Sequence, residues 1–275
     1  MQNHTVEIKS GERFEFGSNW ASFLDQLNED RILLAEDSLK NALGLDNLKG
    51  LKFLDAGSGS GLFSLAAKRM GATVVSFDYD PQSVGCTKLL KNKFFNNDES
   101  WMITEGSVLD IAFLKSLGTF DIIYSWGVLH HTGSMWEAIN NCFSLINNDG
   151  KIFIAIYNDA GFLSSYWKKI KTIYCKYKIL RPVLLAYAFL TMRSGWLIRG
   201  LMQGDLFKKF REYRLKSRGM SAWHDLVDWV GGYPYEYSKP EDIFNYAHKK
   251  GFILQFLTTK GGTLACNEFV FKAPK

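Results

Sequence analysis

The stretch Phe53-Leu54-Asp55-Ala56-Gly57-Ser58-Gly59-Ser60-Gly61 is a short apolar segment that ends in a turn with three glycines. Leu62 to Met70 follows at once with apolar residues at helical spacing, so strand, glycine turn and helix stand in direct succession. That succession opens a parallel α/β unit, whose turn can bend sharply and approach a ligand with no Cβ in the way.

Working outward, Lys52 to Ala56 is the first of five strand signals. The others are Thr73 to Phe77, Trp101 to Glu105, Phe120 to Ser125 and Lys151 to Ile156. Helical patterns over Gln82 to Phe95, Val108 to Ser116 and Trp136 to Leu145 alternate with them, which predicts a parallel sheet covered by helices. Trp20 to Leu45, with Phe23, Leu24, Leu27, Ile32, Leu39 and Leu43, predicts one or two helices as an amino-terminal cap. Late in the chain, Lys239 to Lys250 reads as a helix with Ser238 as N-cap and Pro240 in its first turn. Phe252 to Thr258 and Glu268 to Lys272 then read as two strands joined by a short connection, hence antiparallel to each other. The expected organisation is a cap over residues 1–49, a core made of 50–160 and 239–275, and a helical insertion over 161–238.

The bulk properties are those of an ordinary globular chain. With 275 residues, 47% hydrophobic and 22% charged, 5 Pro and 24 Gly, the composition excludes disordered, collagen-like and disulfide-stapled classes. Cys86, Cys142, Cys175 and Cys266 form no CxxC pair, so neither a zinc site nor a disulfide framework is expected, and no metal. Met1 to Gly17 has no apolar h-region, and the apolar run from Pro182 to Leu190 is far short of a membrane span. A cytoplasmic location with reduced thiols follows as the expectation.

The glycine turn by itself suits NAD, FAD or S-adenosylmethionine, and spacing and charge decide among them. The pattern is G-x-G-x-G, where a dinucleotide fingerprint has G-x-G-x-x-G, and Asp55 stands two residues before Gly57. A carboxylate there suits a cationic head such as the amino group of a methionine moiety and disfavours a pyrophosphate. The second strand ends at Phe77-Asp78-Tyr79-Asp80, which places Asp78 where a carboxylate accepts from both ribose hydroxyls. Gly106-Ser107-Val108-Leu109-Asp110, after the third strand, is placed to wall the adenine. These features favour S-adenosylmethionine.

Taken with Phe120-Asp121-Ile122-Ile123 and the following Leu129-His130-His131, this series resembles the class I S-adenosylmethionine-dependent methyltransferases, nearest in flavour to the quinone-biosynthesis-like small-molecule enzymes. The similarity covers roughly 50–157 and 239–272. It implies a Rossmann-like seven-stranded, mostly parallel sheet in the order 3-2-1-4-5-7-6, with helices on both faces. It further implies that Gly57, Gly59 and Gly61 contact the methionine moiety, Asp78 the ribose, and Ser107 with Val108 the adenine. The expected cofactor set is completed by Asp55, Tyr79 and Trp126.

A sulfonium is already a reactive electrophile, so the protein needs mainly to hold a nucleophile in line and take its proton. Candidate bases follow the fourth strand as His130 and His131, matched to general-base work by the ordinary histidine pKa. A packing role for one of the pair is the competing reading. Ser125-Trp126-Gly127-Val128 lacks the Asn/Asp-Pro-Pro-aromatic pattern that grips exocyclic amines of nucleic-acid bases. A third candidate is His224, which shares a helical face with Asp228 in the return from the insertion. A core helix end held by Trp223 and Trp229 explains the same residues.

The charge is uneven. Residues 162–219 hold 14 Lys or Arg against Asp205 and Glu212, a local balance of +12, and the remainder of the chain is −7. With Trp167, Tyr174, Tyr177, Trp196 and Phe207, this segment suits an anionic membrane surface, an anionic soluble substrate, nucleic acid, or a helical lid or oligomer contact with a solvated basic face. The resulting expectation is methyl transfer to an oxygen or nitrogen of a small molecule, anionic, sugar-like or lipid-linked. Methylation of RNA or another macromolecule is the alternative, and a cofactor-binding module without chemistry is disfavoured by the intact motifs.

Overall fold

Leu54, Ala56 and Ile123 point to one side of the central strands, and Phe53, Ile122 and Tyr124 to the other, so the sheet needs an apolar cover on both faces. The computed structural model describes residues 4–17, 20, 24, 27–205 and 222–275, apart from the side chains at 222 and 224. Its strands are β1 (Lys52–Ala56), β2 (Thr73–Asp78), β3 (Trp101–Glu105), β4 (Phe120–Trp126), β5 (Ile146–Tyr157), β6 (Ile253–Thr258) and β7 (Cys266–Lys272). They form one seven-stranded sheet in the order β3-β2-β1-β4-β5-β7-β6. β7 runs antiparallel to both β5 and β6, and the other pairings are parallel. This is the Rossmann-like order that the resemblance implied.

The helices are α1 (His4–Ser10), α2 (Glu29–Leu43), α3 (Leu62–Arg69), α4 (Pro81–Phe94), α5 (Ile111–Ser116), α6 (Met135–Phe143), α7 (Phe162–Lys176), α8 (Arg181–Met202), α9 (Ala222–Gly231) and α10 (Pro240–Lys249). One face of the sheet is closed by α2, α3 and α4 through Ile32, Leu39, Leu65, Ala66 and Leu90. The other is closed by α5, α6 and α10 through Leu114, Ala138, Ile139, Ile243 and Ala247. Between β5 and α10, the helices α7, α8 and α9 build a third apolar cluster from Trp167, Ile170, Tyr174, Ala188, Leu226 and Val230. Among the described residues no helix is long and apolar enough to cross a membrane.

Caps explain where several boundaries differ from the sequence expectation. The helix expected from Val108 begins at Ile111, because the Asp110 carboxylate accepts from the Ala112 and Phe113 N–H groups and so occupies the N-cap. Asp80 does the same for α4, accepting from the Gln82 N–H. Ser238, expected to cap α10, does not. The cap position is Lys239, and Ser238 forms a parallel bridge with Asn158, donating its N–H to the Tyr157 carbonyl. β5 starts at Ile146, earlier than expected, because Ile146 already pairs with Phe120; Asn147-Asn148-Asp149-Gly150, which reads as a turn, falls in the register shift before Lys151 pairs with Ile122. Phe23 and Phe207, part of the expected cap and insertion patterns, lie outside the described residues.

Candidate active site

A cavity of about 790 Å³ opens over the carboxyl ends of β1, β2, β4 and β5 and is roofed by Phe14 and Phe16 from the amino terminus and by Met192 and Trp229 from the insertion. Parallel strands end there, so unpaired backbone groups and helix amino termini meet at one place.

The glycine turn forms its floor. Gly57, Ser58, Gly59 and Ser60 line the cavity, and the Gly57 and Ser58 N–H groups donate to the Phe77 carbonyl at 2.9 and 3.0 Å, tying the turn to β2. Gly57 has φ +86°, and a Cβ there would stand 2.4 Å from a Val128 methyl. Gly61, with φ +80°, is not among the lining residues. Its missing side chain makes room for Thr87, whose Cα would lie 2.9 Å from a Cβ, so this glycine packs α3 against α4.

Asp55 is 2% exposed at the cavity wall and is reached by an ordered chain of donors. Trp101 Nε1 donates to Ser76 Oγ at 2.9 Å, the Ser76 and Ser64 hydroxyls are 2.7 Å apart, and Ser64 Oγ donates to Asp55 Oδ2 at 2.5 Å. The direction at each end fixes the middle, so Ser76 passes its hydrogen to Ser64. Burial pushes the Asp55 carboxyl up to about 7, against the lowering effect of Ser64. Asp78 Oδ2 accepts from the Gly59 N–H at 2.8 Å and Oδ1 from the Asp80 N–H at 2.9 Å, which holds the carboxylate at the cavity wall. Burial raises it as well, to about 6. Two desolvated carboxyl groups beside bare backbone form a cradle for a ligand with a cationic head and a polyhydroxyl ring. Ser107 and Val108 line the same cavity, and Leu109 N–H donates to Ser107 Oγ at 3.2 Å.

Tyr79 and Trp126, both expected in the cofactor set, line the cavity but spend their polar atoms elsewhere. The Tyr79 hydroxyl donates to Glu7 Oε1 at 3.0 Å, and Trp126 Nε1 donates to Glu268 Oε1 at 2.9 Å. Arg13 lies over the Tyr79 ring, pairs with Glu7 and donates to the His131 carbonyl at 2.9 Å, latching the amino terminus over both halves of the site.

The two histidines of the turn after β4 part company. His131 lines the cavity, and its Nδ1 is 2.6 Å from the Pro234 carbonyl. A carbonyl only accepts, so Nδ1 carries the hydrogen and Nε2 keeps the lone pair. Burial pushes this imidazole down to about 3. His130 is fully buried and does not line the cavity. Its Nδ1 accepts from the Tyr157 N–H at 3.3 Å, and Nε2 has no partner. Burial and the neighbouring His131 hold it neutral too. His130 thus supports the Tyr157 backbone, and its ring lies tilted against that of Tyr157, with centroids 4.0 Å apart. The side chain of His224 lies outside the described residues, whereas Asp225 and Asp228 of its helix line the cavity, Asp225 in an ion pair with Arg193 at 3.0 Å.

Comparison with known proteins agrees with this geometry. Residues 27–187 match the family model described as "Methyltransferase domain". The chain belongs to that family, in its class I, S-adenosylmethionine-dependent form. A ubiquinone biosynthesis O-methyltransferase of Rhodopseudomonas palustris is 25% identical over 189 residues, 67% of this chain and 65% of that protein. The one from Rhizobium johnstonii is 32% identical over 113 residues, 40% and 43% of the two chains, so the chain spans less than two thirds of the length of these relatives. Among solved structures, magnesium protoporphyrin IX methyltransferase from Synechocystis PCC 6803 with bound SAH superposes with TM-score 0.52 at 15% identity, covering 88% of this chain and 83% of that one. An O-methyltransferase family protein from Burkholderia thailandensis gives TM-score 0.55 at 13% identity, covering 98% and 67%. At such identities these two show the fold alone.

The residues of this chain fit S-adenosylmethionine: the glycine turn leaves its backbone uncovered, and Asp55 and Asp78 set two carboxyl groups at the wall of the same cavity. Residues outside the sequence motifs complete the site. Ser64, Ser76 and Trp101 hold Asp55, the Pro234 carbonyl sets the His131 tautomer, and Tyr157 and Trp229 wall the far end. Lys171 stands behind that wall, fully buried, donating to the Trp229 carbonyl with its ammonium 3.6 Å from the Trp229 ring centroid and 4.8 Å from that of Tyr235.

Proposed function

We propose that this methyltransferase moves the methyl group of S-adenosylmethionine to an oxygen of a small, neutral, aromatic acceptor seated between His131, Tyr157 and Trp229. The observation that carries the reading is His131, a cavity-wall imidazole whose tautomer is fixed by the Pro234 carbonyl so that Nε2 keeps its lone pair.

When bound, the cofactor supplies a sulfonium-activated methyl. The chain's own residues orient the acceptor and receive its proton. An imidazole held near pKa 3 is a weak base, yet a methylated hydroxyl oxygen is a far stronger acid than its parent, so proton transfer to Nε2 becomes downhill as the bond forms. An amine acceptor would become an ammonium, which such a base cannot deprotonate; this favours oxygen over nitrogen.

The lining argues for the acceptor class. Phe14, Phe16, Tyr157 and Trp229 supply aromatic surface, and the described lining residues include the carboxylates of Asp55, Asp78, Asp80, Asp225 and Asp228 against one guanidinium, Arg13. An anionic acceptor is disfavoured in such a field, and a sugar finds few open donors. The names of the ubiquinone biosynthesis O-methyltransferases support an aromatic oxygen as acceptor. A panel of a phenol, a catechol, a benzoate, an aliphatic alcohol and an alkylamine, followed by formation of S-adenosylhomocysteine, tests this. Turnover confined to the phenolic compounds is expected, and preferred turnover of the amine or the benzoate would overturn it.

A further inference from the structure

α7 and α8 form a hairpin whose outward side is apolar where a solvated surface is expected to be polar. On α7, Phe162, Tyr166, Lys169, Ile173 and Lys176 recur every three or four residues on the side away from the buried Trp167, Ile170, Tyr174 and Cys175. On α8, Val183, Tyr187, Leu190, Ile198 and Leu201 follow the same spacing on the side opposite Ala188 and the cavity-lining Met192. The Tyr166 and Tyr187 hydroxyls, 2.7 Å apart, join the two stripes, and Ile179 in the connecting turn is 87% exposed. Surface apolar residues scattered singly need no explanation, but apolar residues recurring at helical spacing on two adjoining helices do.

Charge says what covers them. Residues 160–204 contain no Asp or Glu and eight Lys or Arg. Lys171 is buried and Arg193 is paired, while Lys169 and Lys176 stand exposed within the α7 stripe and Lys168, Lys178 and Arg199 beside the two. A second copy of this face would oppose cations to cations with no carboxylate between them. Nucleic acid would use the lysines and the tyrosines but leave Leu190, Ile198 and Leu201 in water.

We propose that the outward side of the α7–α8 hairpin docks on an anionic lipid bilayer, its aliphatic and aromatic side chains entering the headgroup boundary and its lysines meeting lipid phosphates. The hairpin carries +8 in a chain of net +5, so the remainder is −3 and the hairpin is the side that an anionic surface attracts. Met192 faces the cavity from the opposite side of α8, so docking sets the cavity one helix diameter, about 10 Å, from the lipid. That a neutral aromatic acceptor enters from the bilayer rests on the function proposed above; the docking itself does not.

Co-sedimentation of the full chain, saturated with S-adenosylhomocysteine, with vesicles of phosphatidylcholine alone or mixed with phosphatidylglycerol reads association without turnover, so its failure leaves the methyltransferase assignment standing. Binding to the anionic vesicles about tenfold or more above the neutral ones is expected, weakening as salt is added. Leu190→Ser/Ile198→Ser and Lys169→Glu/Lys176→Glu should each lower it about tenfold while leaving S-adenosylhomocysteine affinity and Tm unchanged. Absence of vesicle binding, or binding that both double variants retain in full, would overturn the proposal. So would a dimer in light scattering that only the Leu190/Ile198 variant dissociates, or RNA binding that only the Lys169/Lys176 variant loses.

Discussion

Replacing Asp78 by asparagine keeps the side-chain volume and changes two things that the structure separates. Both carboxylate oxygens accept from the backbone, Oδ2 from the Gly59 N–H at 2.8 Å and Oδ1 from the Asp80 N–H at 2.9 Å. An asparagine has one acceptor oxygen, so its amide must turn N–H groups toward either Gly59 or Asp80, leaving a donor against a donor. An unmet buried donor costs about 1–3 kcal/mol, and this loss falls on the cofactor-free protein as a lower Tm. The second change falls on the cofactor. A charge-assisted hydrogen bond to a ribose hydroxyl becomes at best a neutral one, a loss of about 1.5–3 kcal/mol, or roughly 10- to 150-fold in Kd. Calorimetric titration with S-adenosylhomocysteine, beside thermal unfolding without it, measures both in one preparation. A Tm that falls while affinity stays within about threefold of the parent would refute the ribose assignment and leave Asp78 as a brace for the glycine turn.

Other expectations follow from the same geometry. Asp55 and Asp78, raised to about 7 and about 6, are largely protonated at pH 5 in the cofactor-free protein. A cationic ligand favours their ionised forms, so S-adenosylmethionine affinity should fall steadily from pH 8 to pH 5, and a flat profile would contradict the cradle. Because both pKa values lie above the unfolded carboxylate value of about 4, the cofactor-free protein loses stability as pH rises from there through 7. The Tm gain on cofactor binding should therefore be larger at pH 8 than at pH 5. His131→Ala should lower kcat by about 10²- to 10⁴-fold with S-adenosylhomocysteine affinity unchanged, and the parent enzyme should show no loss of kcat near pH 6.5, since this imidazole is neutral well below that. Gly57→Ala places a methyl 2.4 Å from Val128 at φ +86° and should cost about 1–3 kcal/mol in denaturant unfolding; adding Val128→Ala should recover the packing part.

What could be read in the sequence was what lies within one strand, turn and helix. The stretch from Phe53 to Gly61 shows its role locally because bare backbone and the neighbouring carboxylate are consecutive, and Asp78 follows from its place at the end of β2. The supports could not be read, because each joins distant segments. Ser64, Ser76 and Trp101 form one donor chain only after α3, β2 and β3 have packed. The pair of His131 and Pro234 spans 103 residues, and nothing near Leu129-His130-His131 indicates which ring reaches the cavity. Lys171 looked like one more cation of a basic segment and proved to be a buried brace for Trp229, because helical phase alone turns it inward. Gly61 belongs to the motif by spacing, yet its space is taken by Thr87.

The central claim is methyl transfer to a small acceptor. Its most direct measurement is transfer of radiolabelled methyl from S-adenosylmethionine by the purified enzyme into an extract of the source cells, afterwards divided into polar-metabolite, lipid and macromolecular fractions. Label in a small molecule of the lipid fraction, abolished by His131→Ala, is the predicted result. Label confined to RNA or protein would contradict the account, leaving the fold and the cofactor cradle but making the basic insertion a macromolecule-binding surface.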